Sequence, residues 1–213
     1  MPRAAPRDCA LEGACRSCVT GALFGLDLRR AKTIIAENHY TRSVPSGKSV
    51  VFQYEAAIVM FSIPANKNIA GFLGFGEVWE LTRLWAPDGH RRNLLTEAIA
   101  FSVRAFRKMF PEVDALVSYA DPNVGHEGTV YRAASWFFAG SADETRSYRD
   151  INGVVVARRA FHSGSKALRK NEIIALGYEQ IKAKGKLRFV KPLTGKARRA
   201  WAKRIVASRN EQA

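Results

Sequence analysis

The stretch LVSYADPNVGHEGTVYRAASWFF, Leu116 to Phe138, decides how the rest of the chain is read. An apolar run from Val113 to Val117 leads into it and predicts a buried strand. The pattern breaks at Asp121-Pro122 and Gly125, then becomes helical from Glu127 to Trp136. A strand that ends in a polar loop and feeds a helix is where α/β proteins often place chemistry. Backbone groups at the strand end and the helix N-terminus are free there to meet a ligand. Ser118, Asp121, His126 and Tyr131 all lie in or just beyond this break. The same residues also suit an ordinary turn with a core aromatic, since Asp-Pro is good turn chemistry.

Working outward, Leu28, Ala31, Ile34 and Ile35 predict an amphipathic helix over Leu26 to Glu37, with Asp27 as its cap. Strands are expected at Ser49 to Glu55, Ala56 to Ile63, Ile69 to Phe75 and Trp79 to Trp85. Alternation in the last of these places Trp79, Leu81, Arg83 and Trp85 on one face, with the arginine between two tryptophans. Ala86-Pro87-Asp88-Gly89 ends that strand. A helix follows from about Asn93, a plausible cap, to Met109, burying Leu95, Ile99, Ser102, Phe106 and Met109. Beyond the central stretch, Tyr148 to Phe161 reads as a hairpin turning at Asn152-Gly153. A helix near Lys170 to Lys182, a strand at Lys186 to Val190 and a helix from Thr194 to Val206 complete the expectation.

A chain of 213 residues with 47% hydrophobic content suits one domain with a real core. Its charge is uneven: 34 basic residues stand against 19 acidic, a net +15, and from Arg158 onward 16 Lys and Arg face 3 Glu. A concentrated basic face is the footprint of a polyanion binder, although a merely solubilising tail has the same composition. No apolar run is long enough to span a membrane, and the N-terminus makes a poor signal peptide, so a cytoplasmic protein is expected. The three cysteines, Cys9, Cys15 and Cys18, fall in a segment expected to be a loose arm over residues 1–25. Cys15-x-x-Cys18 has zinc-ligand spacing, with Cys9 and a distant His39 or His126 to complete a set; free thiols are the simpler reading, and no metal is expected.

The central block SYAD with GTVYRAASWFFAGS resembles the phage Mom family, adenine-modifying proteins of DNA phages related to phage Mu. NHYTRSVPSG at Asn38 to Gly47 and WELTRLWAPDGHRRNLLTEAIAFSVR at Trp79 to Arg104 also match. KLRFVKPLTGKARRAW near the C-terminus matches more weakly, so the likeness covers Asn38 to Trp201 in the family's order. The resemblance implies a GNAT-like (acetyltransferase-type) α/β fold with a mixed central sheet, here over residues 26–213, and a host-cell cytoplasmic location. It also implies an enzyme that adds a carbamoylmethyl group to the exocyclic amine of adenine, protecting phage DNA from restriction. A conventional N-acyltransferase using acetyl-coenzyme A, or a non-catalytic nucleic-acid-binding protein on the same scaffold, are the alternatives.

On that resemblance, Tyr131 occupies the place of the tyrosine that protonates the leaving group in many GNAT enzymes. Ser118, Asp121 and Arg83 would supply a hydrogen-bond donor, a base and an anion clamp, and His39 would border the acceptor side. Tyr131 also reads as a packed aromatic, and His39 as a structural histidine. Gly89, Arg91, Arg92 and Asn93 match the loop that holds the donor's pyrophosphate, although the spacing departs from the usual one and the arginines could be surface charge. Modification of double-stranded DNA requires a flipped adenine, for which Tyr40, Tyr119 and Trp85, with Trp79 and Trp136, are stacking candidates. Lys186, Arg188, Lys191, Lys196, Arg198, Arg199, Lys203 and Arg204 would hold the DNA backbone without reading sequence. A carbamoylmethyl group has the skeleton of glycinamide, so a glycyl donor such as glycyl-tRNA is as plausible as coenzyme A. The strong positive charge suits a tRNA as donor partner, and the sequence leaves the oligomeric state, a dimer included, open.

Overall fold

Two hairpin-linked strands carry the first part of the core: β1 (Ser49–Tyr54) and β2 (Ala57–Ser62) pair antiparallel from Ser49↔Ser62 to Tyr54↔Ala57. The computed structural model describes residues 27–41, 43–158, 161 and 167–210. These fall into two compact units that divide between Asp114 and Ala115. The cysteine arm and its metal reading lie outside the described residues. The class is mixed α/β, as expected, with sheets flanked by helices.

In the first unit the sheet order is β1, β2, β3, the last being Val78–Trp85. Helix α1 (Leu28–Asn38) lies on one face, because Ala31 and Ile35 are fully buried with Val51, Ile58 and Met60. Burying one such isoleucine contributes about 1.5–3 kcal/mol. Asp27 stands at the cap position but makes no side-chain cap hydrogen bond. The 16-residue helix α3 (Leu94–Met109) covers the other face, where Phe106 meets Phe61, Trp79 and Phe110 at ring-centroid distances of 4.9, 5.3 and 4.7 Å.

Two expectations fail in this unit. Ile69–Leu73 is a short helix, α2, not a strand, and Gly74 ends it in the left-handed conformation at φ +73°. The face assignment of β3 also fails beyond Leu81. Met60 pairs with Arg83 and Phe61 with Leu81, which leaves Thr82 as an extra residue in a β-bulge. The bulge shifts the two-residue alternation by one. Trp79 therefore packs under α3, whereas Trp85, opposite Ile58, joins the α1 cluster. Arg83 is not between two tryptophans on one face; it shares the α1 face with Trp85.

In the second unit β4 (Ala115–Ala120), β9 (Leu187–Pro192) and β5 (Phe137–Ser141) form an antiparallel set with β9 in the middle. Between β4 and β5 come a single 3-10 turn, Pro122–Val124, and helix α4 (Thr129–Ala133). This helix is shorter than expected, because Ser135 adopts φ +59° and turns the chain directly into β5, a strand the sequence reading missed. A second sheet, in the order β7, β6, β8, combines the anticipated hairpin of β6 (Thr145–Arg149) and β7 (Val155–Ala157) with β8 (Glu179–Ala183). The helix expected over Lys170 to Lys182 is only α5 (Lys170–Ala175). Gly177, at φ +88°, stops it and lets residues 179–183 pair with β6. Helix α6 (Gly195–Asn210) packs on β9 through buried Ala197 and Trp201, and the Thr194 hydroxyl caps it by accepting from Ala197 N at 3.1 Å.

Candidate active site

The Asn38-His39-Tyr40 segment forms the exit from α1. His39 is buried and closes the helix, its backbone N–H donating to Ile35 O at 2.9 Å. Its Nδ1 lies 2.9 Å from Thr41 Oγ1 and accepts from Thr41 N at 3.2 Å. A backbone N–H can only donate, so this contact assigns Nδ1 the acceptor role toward Thr41 N. Tyr40 stacks beside it at 4.5 Å and is half exposed. Arg83 reaches the same loop, donating from Nε to Ser43 O at 2.8 Å and from Nη2 to Ser43 Oγ at 3.0 Å. The structure thus brings Arg83 and Trp85 to the α1 side of β3, and fastens Arg83 to the loop that carries His39 and Tyr40.

The loop of residues 89–93 is organised differently from the expectation. Gly89 does adopt the left-handed conformation, φ +74°, that a tight turn requires. Arg91, however, is engaged by two carboxylates: Nη2 lies 2.7 Å from Glu55 Oε1 and 2.6 Å from Glu97 Oε2. Nε and Nη1 add bonds to the same two residues at 3.1 and 3.0 Å. These contacts raise the Arg91 pKa, through its hydrogen bonds to Glu97 and then Glu55, and hold both glutamates below the usual carboxylate range. Its guanidinium donors are engaged by these two carboxylates, which tether the start of α3 to Glu55. Asn93 stands at the N-cap position in the left-handed conformation, φ +67°, and makes no capping bond; side-chain caps work from an extended backbone. Arg92 remains exposed.

In the second unit Ser118 is wholly buried inside β4, opposite Phe189, rather than at the strand end. Tyr119 pairs with Arg188, whose guanidinium lies 6.0 Å from its ring centroid. Asp121 caps the 3-10 turn, its Oδ1 accepting from Asn123 N at 3.0 Å and Asn123 Nδ2 at 2.9 Å, while Oδ2 pairs with Lys186 at 3.3 Å. Burial raises the Asp121 pKa, but the Asn123 hydrogen bonds and the Lys186 charge outweigh it and the net shift is downward. Such a carboxylate is a weaker base than an ordinary one. Tyr131 is buried in α4 with its ring 5.6 Å from Trp136 and 5.3 Å from Phe189.

The basic residues divide by environment. Lys191 Nζ donates to Ala134 O at 3.0 Å and Ser135 O at 2.9 Å, and burial, then the Arg198 charge, lowers its pKa. It caps the end of α4. Arg188 donates to Ala139 O at 3.4 Å, within the sheet. Lys196, Arg198, Arg199, Lys203 and Arg204 are all exposed along α6, and the Arg204 guanidinium lies over the Trp201 ring, 5.7 Å from its centroid.

Three residues escaped the sequence reading. Asn123 exchanges two hydrogen bonds with the Lys184 backbone, at 2.9 and 3.0 Å, and so fastens the 3-10 turn to the approach to β9. The Asp121-Pro122-Asn123 spacing signals a turn but not this distant partner. Ser43 and Glu55 left no signal, because their partners Arg83 and Arg91 lie 40 and 36 residues away.

Among the described residues no cluster of His, Cys, Asp or Glu could hold a metal ion, and no helix is long and apolar enough to cross a membrane. A solved Bacillus subtilis acetyltransferase in complex with CoA is similar to this chain with 8% identity, covering 76% of this chain and 84% of that one at a TM-score of 0.40. At that score the likeness decides nothing about this protein. A relative from Escherichia phage Mu, described as methylcarbamoylase mom, is 29% identical over 125 residues, which are 54% of this chain and 52% of the relative. The chain therefore spans about half the length of that curated relative. The Mom protein family pattern matches residues 25–209, and the chain belongs to that family.

Proposed function

We propose that the protein is a DNA-modification transferase that places a carbamoylmethyl group on the exocyclic amine of adenine. The family match over residues 25–209 carries this reading. The relative described as a methylcarbamoylase and the five exposed cations of α6 support it. Altering that amine changes the major-groove donor pattern that restriction enzymes read, which would protect phage DNA.

The product's atoms constrain the donor. The modified base reads nitrogen, methylene, carbonyl, amide nitrogen, so acetyl transfer cannot make it. The adenine amine attacks a glycyl ester or thioester, forming a glycyl amide and releasing the donor's alcohol or thiol. The free glycyl amine then attacks the ring carbon through a five-membered spiro intermediate. The bond from that carbon to the original nitrogen breaks, and this nitrogen leaves as the terminal carboxamide. Tyr131 is the proposed proton donor to the leaving group, and Arg83 the anion clamp beside the His39 loop.

DNA from cells expressing the protein, digested and examined by nucleoside mass spectrometry, tests the reading. A base heavier than adenine by a carbamoylmethyl group is expected, and unmodified adenine alone would refute it. In cells fed glycine labelled with carbon and nitrogen isotopes, both carbons and the nitrogen should enter that base together; an unlabelled adduct would overturn the glycyl route.

A further inference from the structure

The hairpin between β6 and β7 exposes an isoleucine at its tip. Ile151 is 93% exposed, and Val154, across the turn, is 56% exposed. A single exposed aliphatic residue needs no explanation by itself. The turn beneath this one is unusually well secured. Asp150 Oδ1 accepts from Asn152 N at 2.9 Å and Val154 N at 2.8 Å, and its backbone N–H donates to Val154 O at 3.0 Å. Gly153, at φ +81°, donates to Asp150 O at 3.0 Å. The apolar tip is held out by a fixed turn, anchored at its base by the pairing of β6 with both β7 and β8.

The unit that bears the hairpin is cationic as a whole. Residues 115–213 hold 19 Lys and Arg against 8 Asp and Glu, so +11 of the net +15 lies in the unit that bears the hairpin. On β6 itself Arg146 and Arg149 are exposed on either side of buried Ser147 and Tyr148, with Arg149 paired to Glu179 at 3.4 Å. A short apolar side chain on a rigid tip within a positively charged unit is what proteins use to part stacked base pairs. The charge holds the backbone, and the wedge occupies the space between bases.

We infer that Ile151 is a wedge that enters duplex DNA and occupies the stack position vacated by an extruded base. The inference rests on the proposed modification of adenine in DNA, because chemistry on a base inside a duplex requires that base to leave the stack. Val154 supports the wedge from the opposite side of the turn. The turn's hydrogen bonds keep the side chain from folding back onto the protein when water is displaced. Ile151 is thus a positioning residue that makes the base accessible and does not take part in group transfer.

Full-length wild type, Ile151→Ser and Ile151→Leu are compared in two measurements. The first is the fraction of modified adenine in DNA from expressing cells. The second is the fluorescence of 2-aminopurine in a synthetic duplex, which brightens as the base unstacks and whose titration also reports Kd. Ile151→Ser should lose about tenfold in modified adenine and lose the brightening, with Kd within about twofold of wild type. Ile151→Leu should retain both signals. Brightening by Ile151→Ser equal to that of wild type, or none by wild type, would overturn the wedge. Wild type that brightens 2-aminopurine yet leaves adenine unmodified would overturn the proposed modification instead, and leave the wedge standing.

Discussion

Arg83 grips Ser43 at two points, the carbonyl at 2.8 Å and the hydroxyl at 3.0 Å, and so ties β3 to the loop that follows α1. The bulge at Thr82 makes this possible by turning Arg83 to the α1 face. The grip needs a planar fork. Lysine has one compact ammonium and cannot reproduce it. Arg83→Lys should therefore lose most DNA modification while melting within a few degrees of wild type. Retained activity would show that charge alone suffices at this position.

Arg91 makes a stability prediction with a defined sign. Glu55 and Glu97 have folded-state pKa values below their ordinary 4.5, chiefly through hydrogen bonds from Arg91. A lowered carboxylate pKa contributes stability that is present above the unfolded value and lost as pH falls through the folded one. The Tm difference between wild type and Arg91→Ala should accordingly be present at pH 7, shrink below pH 4.5 and vanish in stronger acid. High salt should also reduce it, because all three side chains are exposed. A difference constant across pH would mean that the Arg91 stem, not its charge, stabilises the loop.

Tyr131 separates chemistry from packing. Its ring fills the space between Trp136 and Phe189, so Tyr131→Phe should fold normally and lose activity if the phenol transfers the proton. Tyr131→Ala should cost about 3–5 kcal/mol of stability in thermal or denaturant unfolding. Gly128→Ala tests the same neighbourhood. A Cβ there would stand 2.2 Å from the Phe189 ring at a backbone φ of +76°, so Gly128→Ala should also melt well below wild type.

The proposed DNA contact of α6 carries a salt-dependence prediction. Replacing Lys196, Arg198, Arg199, Lys203 and Arg204 by Gln should weaken binding equally across unrelated sequences. It should also lower the log–log salt slope by about 0.9 for each phosphate contact removed. Lys191→Gln should leave that slope unchanged and instead lower Tm, because the Lys191 ammonium is bound to the Ala134 and Ser135 carbonyls. Filter binding over a salt series checks both outcomes.

Local pattern determined much of this protein. The three-four spacing of Ala31 and Ile35, the stripe of Ile99, Ser102 and Phe106, and the Asn152-Gly153 turn each encode an element through contacts within a few residues. Those elements are present where the sequence places them. The basic α6 face was legible for the same reason, since charge and helical period are both local. Tertiary structure decided the roles of individual site residues. The Thr82 bulge depends on how β2 and β3 pair, and it moved Arg83 to the other face. Arg91 was drawn to Glu55 across 36 residues and Lys191 to Ala134 across 57, partners that the sequence reading did not assign to them. Periodicity along a chain cannot encode such partners, because a charged side chain is claimed by whichever group folding brings within hydrogen-bonding distance.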